Sequence, residues 1–161
     1  MLVYRITLRE YANNLYAGGG VGRWNPEGNK VIYTAGNISL AVLENMCHRQ
    51  GAGFNGNFCT MVVEFPDELG TTTYRVDDLP RGWNNTDWTD SDMYAVSHSI
   101  GDQWYREAKT AILKIPSVVV PQEFNFVLNS MHPDFSQVKL KLVTEYVPDE
   151  RLNDLLKKYP K

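Results

Sequence analysis

The sequence predicts an α+β fold in which a mainly antiparallel β-sheet core carries inserted helices. Three observations lead there. Short runs rich in Val, Ile, Phe, Tyr and Thr recur along the chain, bounded by Gly, Pro, Asn and Asp. Two longer stretches, from Ile38 to Arg49 and from Asp92 to Lys109, carry apolar residues at helical spacing instead. No repeat, low-complexity segment or linker divides the 161 residues. A single domain over 1–161 is therefore expected.

Taken in order, Leu2 to Thr7 alternates as a first strand, with Arg5 its one charge. That charge is read as a surface or edge residue, or as a second cation reaching a site. Arg9 to Tyr16 is polar and suits a short helix before the glycines. Val31 to Thr34 has strand composition. Ile38 to Arg49 is a helix with Asn37 or Ser39 as N-cap. Its predicted apolar arc is Leu40, Val42, Leu43, Met46 and Cys47, with Glu44 at the margin and Asn45, His48 and Arg49 opposite.

Gly51 to Asn57 is a loop. Phe58 to Phe65 and Thr71 to Val76 are strands separated by the turn from Pro66 to Gly70. Arg81 to Asp90 is irregular. Ser91 is placed to cap a helix from about Asp92 to Lys109, with Met93, Val96, Ile100, Trp104 and Ala108 as its buried stripe; Gly101 interrupts it. Ala111 to Ile115 and Val118 to Val120 read as strands broken by Pro116-Ser117, which implies an edge or a bulge. Phe124 to Leu128 and Val138 to Val147 are further strands. Asp149 caps a short helix from Glu150 to Lys158.

Composition narrows the function classes. A formal charge of −3 gives no broad basic field, so direct nucleic acid binding is not expected. No apolar run approaches the roughly 20 residues that cross a bilayer, and the N-terminus lacks a signal-peptide pattern. Cys47 and Cys59 have no metal-like spacing and are read as reduced, which fits a cytoplasmic protein; a disulfide between them stays open.

The chemistry concentrates between Ala17 and Glu44. Gly18-Gly19-Gly20 and Gly22 permit unusual backbone angles or a close approach. Arg23 and Trp24 follow, then the turn residues Asn25 to Asn29, the strand with Tyr33, and the helix with Glu44. A cation, two aromatics and an acid joined by short connections can converge on a small anionic ligand. The plainer alternative is a glycine-rich hairpin feeding an ordinary helix.

Other chemistries fit less well. His48, His98 and His132 lack metal-ligand spacing, so no metal is expected. Gly18, Gly20 and Arg23 fall at the three places of a dinucleotide fingerprint, whose last place needs glycine. Ser117 has no nucleophile elbow around it and reads on spacing as a turn hydroxyl beside Pro116. Trp83 and Trp88, if exposed, suit an interface.

An ordered series of short motifs resembles the RES domain family over nearly the whole chain. It runs through Gly22-Arg23-Trp24-Asn25-Pro26, Val31-Ile32-Tyr33, Ser39-Leu40-Ala41-Val42-Leu43-Glu44 and Leu79-Pro80-Arg81-Gly82-Trp83. It continues through Ile100-Gly101-Asp102-Gln103-Trp104, Ile115-Pro116-Ser117-Val118-Val119-Val120, Glu123 to Asn129, and His132-Pro133-Asp134-Phe135. Arg23, Glu44 and Ser117 match the Arg, Glu and Ser that name the family, whereas Asn84 to Ser99 carries little of the pattern.

The resemblance implies a bacterial toxin of a type II toxin–antitoxin system, with a fold like that of the ADP-ribosyltransferases (diphtheria-toxin-like). It implies NAD as substrate, cleaved between nicotinamide and ribose by hydrolysis or phosphorolysis, or alternatively used to modify a protein. The implied partner is an Xre-type helix-turn-helix antitoxin, with a homodimeric toxin in the complex. On this reading Arg23 grips the diphosphate, Tyr33 stacks on nicotinamide or ribose, and Glu44 stabilises the positive charge that develops on the ribose. Ser117 positions a phosphate or the nicotinamide amide. Asn129 and Arg5 are further candidate NAD-binding groups. A nucleotide-binding module without catalysis is the reading from another class.

Overall fold

The computed structural model describes residues 1–48, 57–87, 89–152 and 154. Seven strands form one sheet in the order β4-β5-β6-β2-β1-β3-β7. They are β1 (Leu2–Leu8), β2 (Val31–Ala35), β3 (Phe58–Glu64), β4 (Thr71–Thr73), β5 (Ile112–Pro116), β6 (Phe124–Asn129) and β7 (Lys139–Tyr146). Every pairing is antiparallel except that of β4 with β5. The helices are α1 (Ile38–His48) and α2 (Ala95–Glu107), supplemented by short 3-10 turns at Arg9–Tyr11, Val76–Asp78 and Pro133–Gln137. The expected α+β class with a mainly antiparallel sheet is the observed one.

Alternation along the strands divides the core between two faces. On one face Val3, Ile32, Met61, Val63, Ile112, Phe126 and Leu128 pack beneath Ala12, Leu15, Ala17 and Phe135. On the other, α1 sets Leu40, Ala41 and Val42 against Ile6, Ala35 and Phe58. Beside it Trp24, Trp83 and Trp104 cover Leu113, Ile115 and Val127.

Several local expectations change, each for a physical reason. Val118–Val120 is not a strand, because the Ser117 hydroxyl accepts the N–H groups of Val119 and Val120 and turns the chain. β5 is an inner strand, yet β4 reaches only as far as Lys114, so Pro116 meets no neighbour on that side. A proline without an N–H is tolerated there. α2 begins three residues late, since Asp90 and Asp92 hold Asp92, Met93 and Ala95 in turns, and its N-cap is Tyr94, not Ser91. It ends in Ala108, which takes the left-handed conformation (φ 45°) and is exposed, so Ala108 leaves the buried stripe. Gly101 does not interrupt the helix; it is buried within it.

α1 is rotated relative to its predicted arc. Leu43 and Cys47 are exposed, while Ala41 is buried and Asn45 turns inward to donate from Nδ2 to the carbonyl of Ile6 at 3.0 Å. Asn37 is its cap, accepting the Leu40 N–H at 2.8 Å. Arg9 to Tyr16 forms only one 3-10 turn before irregular chain, and the strand after Thr71 stops at Thr73. β7 alternates imperfectly because it carries a bulge: Val62 and Val63 of β3 pair with Leu142 and Leu140, which leaves Lys141 as the extra residue. Cys47 and Cys59 are both thiols. Trp83 is buried, not an exposed interface residue, and Trp88 lies outside the described residues, as do Arg49 and most of the predicted C-terminal helix. Among the described residues no helix is long and apolar enough to cross a membrane.

Candidate active site

Glu44 sits at the end of the second turn of α1, where the helix crosses the end of the sheet marked by Ala35 and Asn125, which pair in register. One carboxylate oxygen, Oε1, accepts two hydrogen bonds. The Ser117 hydroxyl donates to it at 2.7 Å, and the Asn125 side-chain amide donates to the same oxygen. Ser117 is fully buried and its backbone N–H is bonded to the carbonyl of Glu123. Its Oγ already accepts from Val119 and Val120 at 3.0 and 2.9 Å, so its hydroxyl hydrogen is directed at Glu44. Ser117 is thus the turn hydroxyl its sequence context suggests, and also the partner of the acid. Buried and committed in this way, it is not poised to bind a phosphate or an amide directly.

Arg23 is carried by a two-residue turn whose ends, Gly22 and Asn25, bond each other through both backbone pairs at 3.0 and 3.2 Å. Asn25 is buried and braces the turn: its Nδ2 donates to the carbonyls of Gly20 and Pro26. The Tyr33 hydroxyl donates to Asn25 Oδ1 at 2.7 Å and accepts the Trp24 N–H at 3.0 Å. Gly22 is required by this packing, since a Cβ there would lie 2.7 Å from the Tyr33 hydroxyl and 2.8 Å from Asn25 Oδ1. Burial drives the Tyr33 pKa far above that of an ordinary phenol, so it remains a neutral donor.

α2 braces the turn from the other side. His98 Nε2 lies 2.7 Å from the Gly22 carbonyl and donates to it. One turn earlier, the Tyr94 ring lies under the Arg23 guanidinium, 4.8 Å from centroid to Cζ. Arg23 Nη1 also donates to the carbonyls of Trp83 (3.3 Å) and Asn85 (2.8 Å). Burial lowers the Arg23 pKa, and the negative charge of Glu44 is among the influences that oppose the fall. The guanidinium stays charged.

Glu44, Ser117, Arg23 and Tyr33 therefore gather on one side of the sheet. Two other candidates do not join them. Arg5 belongs to the pleat of Val3 and Met61, on the face away from α1; it is an inner-strand residue, not an edge one. Its Nη1 reaches the carbonyl of Tyr16 at 3.4 Å. Asn129 ends β6 four residues beyond Asn125, or roughly 13 Å along a strand, and its Oδ1 accepts the Met131 N–H in a turn. Asn125, Asn25, Tyr94 and His98 were not singled out from sequence. Asn125 left a signal as a polar residue amid the apolar centre of β6, and Asn25 as part of the Gly22–Pro26 motif.

Among the described residues no group of His, Cys, Asp and Glu could hold a metal ion. A surface concavity of about 320 Å³, lined by Met1, Glu64, Phe65 and Asp67, lies at the far ends of β1 and β3 and contains none of the site residues.

Comparison with known proteins agrees with the motif series. The family model for the RES domain matches residues 2–153. The "Prs ADP-ribosylating toxin" of a Sphingobium species is 35% identical over 133 residues, covering 81% of this chain and 80% of that protein. A "Toxin Res" from Yersinia enterocolitica is 32% identical over 139 residues, covering 84% and 88%. In fold, the chain is similar to one in the crystal structure of the M. tuberculosis MbcT–MbcA toxin–antitoxin complex. The TM-score is 0.67, with 15% identity and coverage of 98% of this chain and 89% of the other.

Proposed function

The chain belongs to the RES domain family, and from that premise we propose that it is the toxin of a toxin–antitoxin pair that breaks NAD between nicotinamide and ribose. The observation that carries this reading is the Glu44 carboxylate. Ser117 and Asn125 hold one of its oxygens, and Arg23 stands on the same side of the sheet.

The proposed chemistry is substitution at the anomeric carbon, as in an ADP-ribosyltransferase-like site. The C–N bond breaks, its electron pair leaves with nicotinamide, and positive charge spreads onto the ribose ring. Glu44 stabilises that charge and accepts a ribose hydroxyl, interactions that strengthen in the transition state. Arg23 binds the diphosphate with its guanidinium fork. Tyr33 acts through the turn it holds, and the accessible part of its ring flanks nicotinamide or ribose. An oxygen of water or phosphate then bonds to the anomeric carbon and loses a proton to solvent. NAD is consumed as substrate and growth halts. An Xre-type antitoxin restrains a cytoplasmic, homodimeric toxin, and neither a membrane nor nucleic acid is a direct partner.

The name of the Sphingobium relative favours a second reading, transfer of ADP-ribose to a protein. Incubation with NAD labelled on the adenylate half separates the two. Free ADP-ribose, or its phosphate in phosphate buffer, supports NAD destruction. Label on a macromolecule supports transfer, and no release of nicotinamide under any condition rejects both.

A further inference from the structure

We propose that Asn125 is a positioning residue for Glu44: with Ser117 it pins one carboxylate oxygen and so presents the other to the substrate. This rests on the reading of Glu44 given above. Both donors converge on Oε1, and among the described residues none donates to Oε2. A carboxylate on a helix can turn about its side-chain bonds. Two donors on the same oxygen, from two different elements, fix both its place and its roll.

The donors are themselves constrained. The Ser117 hydroxyl accepts two backbone N–H groups, so it has one direction left in which to donate. Asn125 lies on β6 in register between Ala35 of β2 and Ile115 of β5. The Gly36 N–H donates to the carbonyl of Phe124, and the Asn37 side-chain amide donates to the Glu123 carboxylate at 3.0 Å. The start of α1 is thereby tied to the start of β6.

The test uses nicotinamide release by the full chain, with thermal melting as a control. Asn125→Asp keeps the volume, removes the donor and opposes the acid with a like charge. It is expected to lower kcat at least 100-fold with KM for NAD within about threefold, because the lost contact acts on the acid and not on the diphosphate. Asn125→Ala is expected to lose about tenfold or more, and Asn125→Ser, which keeps a hydroxyl donor, to recover part of that. Unchanged kcat in Asn125→Asp, or a rise in KM alone, overturns the proposal. If the wild-type chain releases no nicotinamide, the functional reading fails separately. A crystal structure of Asn125→Asp then decides the positioning role: Glu44 turned away from its Ser117-bound place supports it, and Glu44 unmoved rejects it.

Discussion

A Cβ placed on Gly101 would lie 1.8 Å from the carbonyl oxygen of Trp24, so α2 and the turn that carries Arg23 meet backbone to backbone. His98 and Tyr94 extend that contact along the same side of the helix, to Gly22 and to Arg23 itself. The helix is the splint that fixes where the cation stands.

Gly101→Ala follows directly. The clash is with backbone, which cannot swing aside as a flexible side chain can, so helix and turn must separate. Overpacking of this kind costs about 1–3 kcal/mol. The melting temperature is expected to fall by several degrees, and NAD affinity with it, since the Arg23 turn loses its support. Calorimetry and titration on the same sample check both; an unchanged melting temperature would remove α2 as the splint.

Glu44→Gln deletes charge with little change in volume. Turnover is expected to fall by two to three orders of magnitude, the scale seen when transition-state charge loses its partner. The fold and most NAD affinity are expected to survive. Nicotinamide release at the wild-type rate would remove Glu44 from the mechanism.

Arg23→Lys is not a conservative change here. The guanidinium reaches the carbonyls of Trp83 and Asn85 while lying over the Tyr94 ring, a planar arrangement an ammonium cannot copy. NAD binding is expected to weaken by about 2 kcal/mol, close to thirtyfold, and Arg23→Ala to do at least as badly. Equilibrium binding at fixed ionic strength measures it; equal affinity in Arg23→Lys and wild type contradicts the diphosphate role.

Tyr33→Phe removes one hydroxyl and strands two partners, the Trp24 N–H and Asn25 Oδ1. The expected cost is about 1–3 kcal/mol. The same phenol has an alkaline signature. Its folded pKa lies above its unfolded one, so the folded state keeps a proton that the unfolded chain releases. Its stabilisation is complete below the unfolded value of about 10 and is lost as pH rises beyond it, by up to about 1.4 kcal/mol per pH unit. Denaturation followed from pH 9 to 11.5 is expected to show that loss in wild type and a shallower one in Tyr33→Phe. Identical slopes would mean the phenol is not buried as described.

Much of the fold is legible in the chain because it depends on local rules. Strand composition and turn residues locate β1, β2, β3 and β6 to within a residue or so, and Asn37 marks the start of α1. Where local pattern meets a competing tertiary contact, the pattern misleads. Val118–Val120 has strand composition, but a side-chain oxygen captures its N–H groups. The apolar Leu43 stays exposed while the polar Asn45 turns inward, because a sheet carbonyl is there to accept from it.

By itself the sequence determined the α+β class, and the order in which Arg23, Tyr33, Glu44 and Ser117 enter it. Motif identity is a property of the chain and survives without coordinates. Only the tertiary structure decided that Ser117 serves the acid, that Tyr33 serves the arginine turn, and that Arg5 lies across the sheet. It also brought in Asn125, His98 and Gly101, whose partners are 81, 76 and 77 residues away along the chain. A hydrogen bond depends on distance and direction in space, and no spacing along the sequence encodes either.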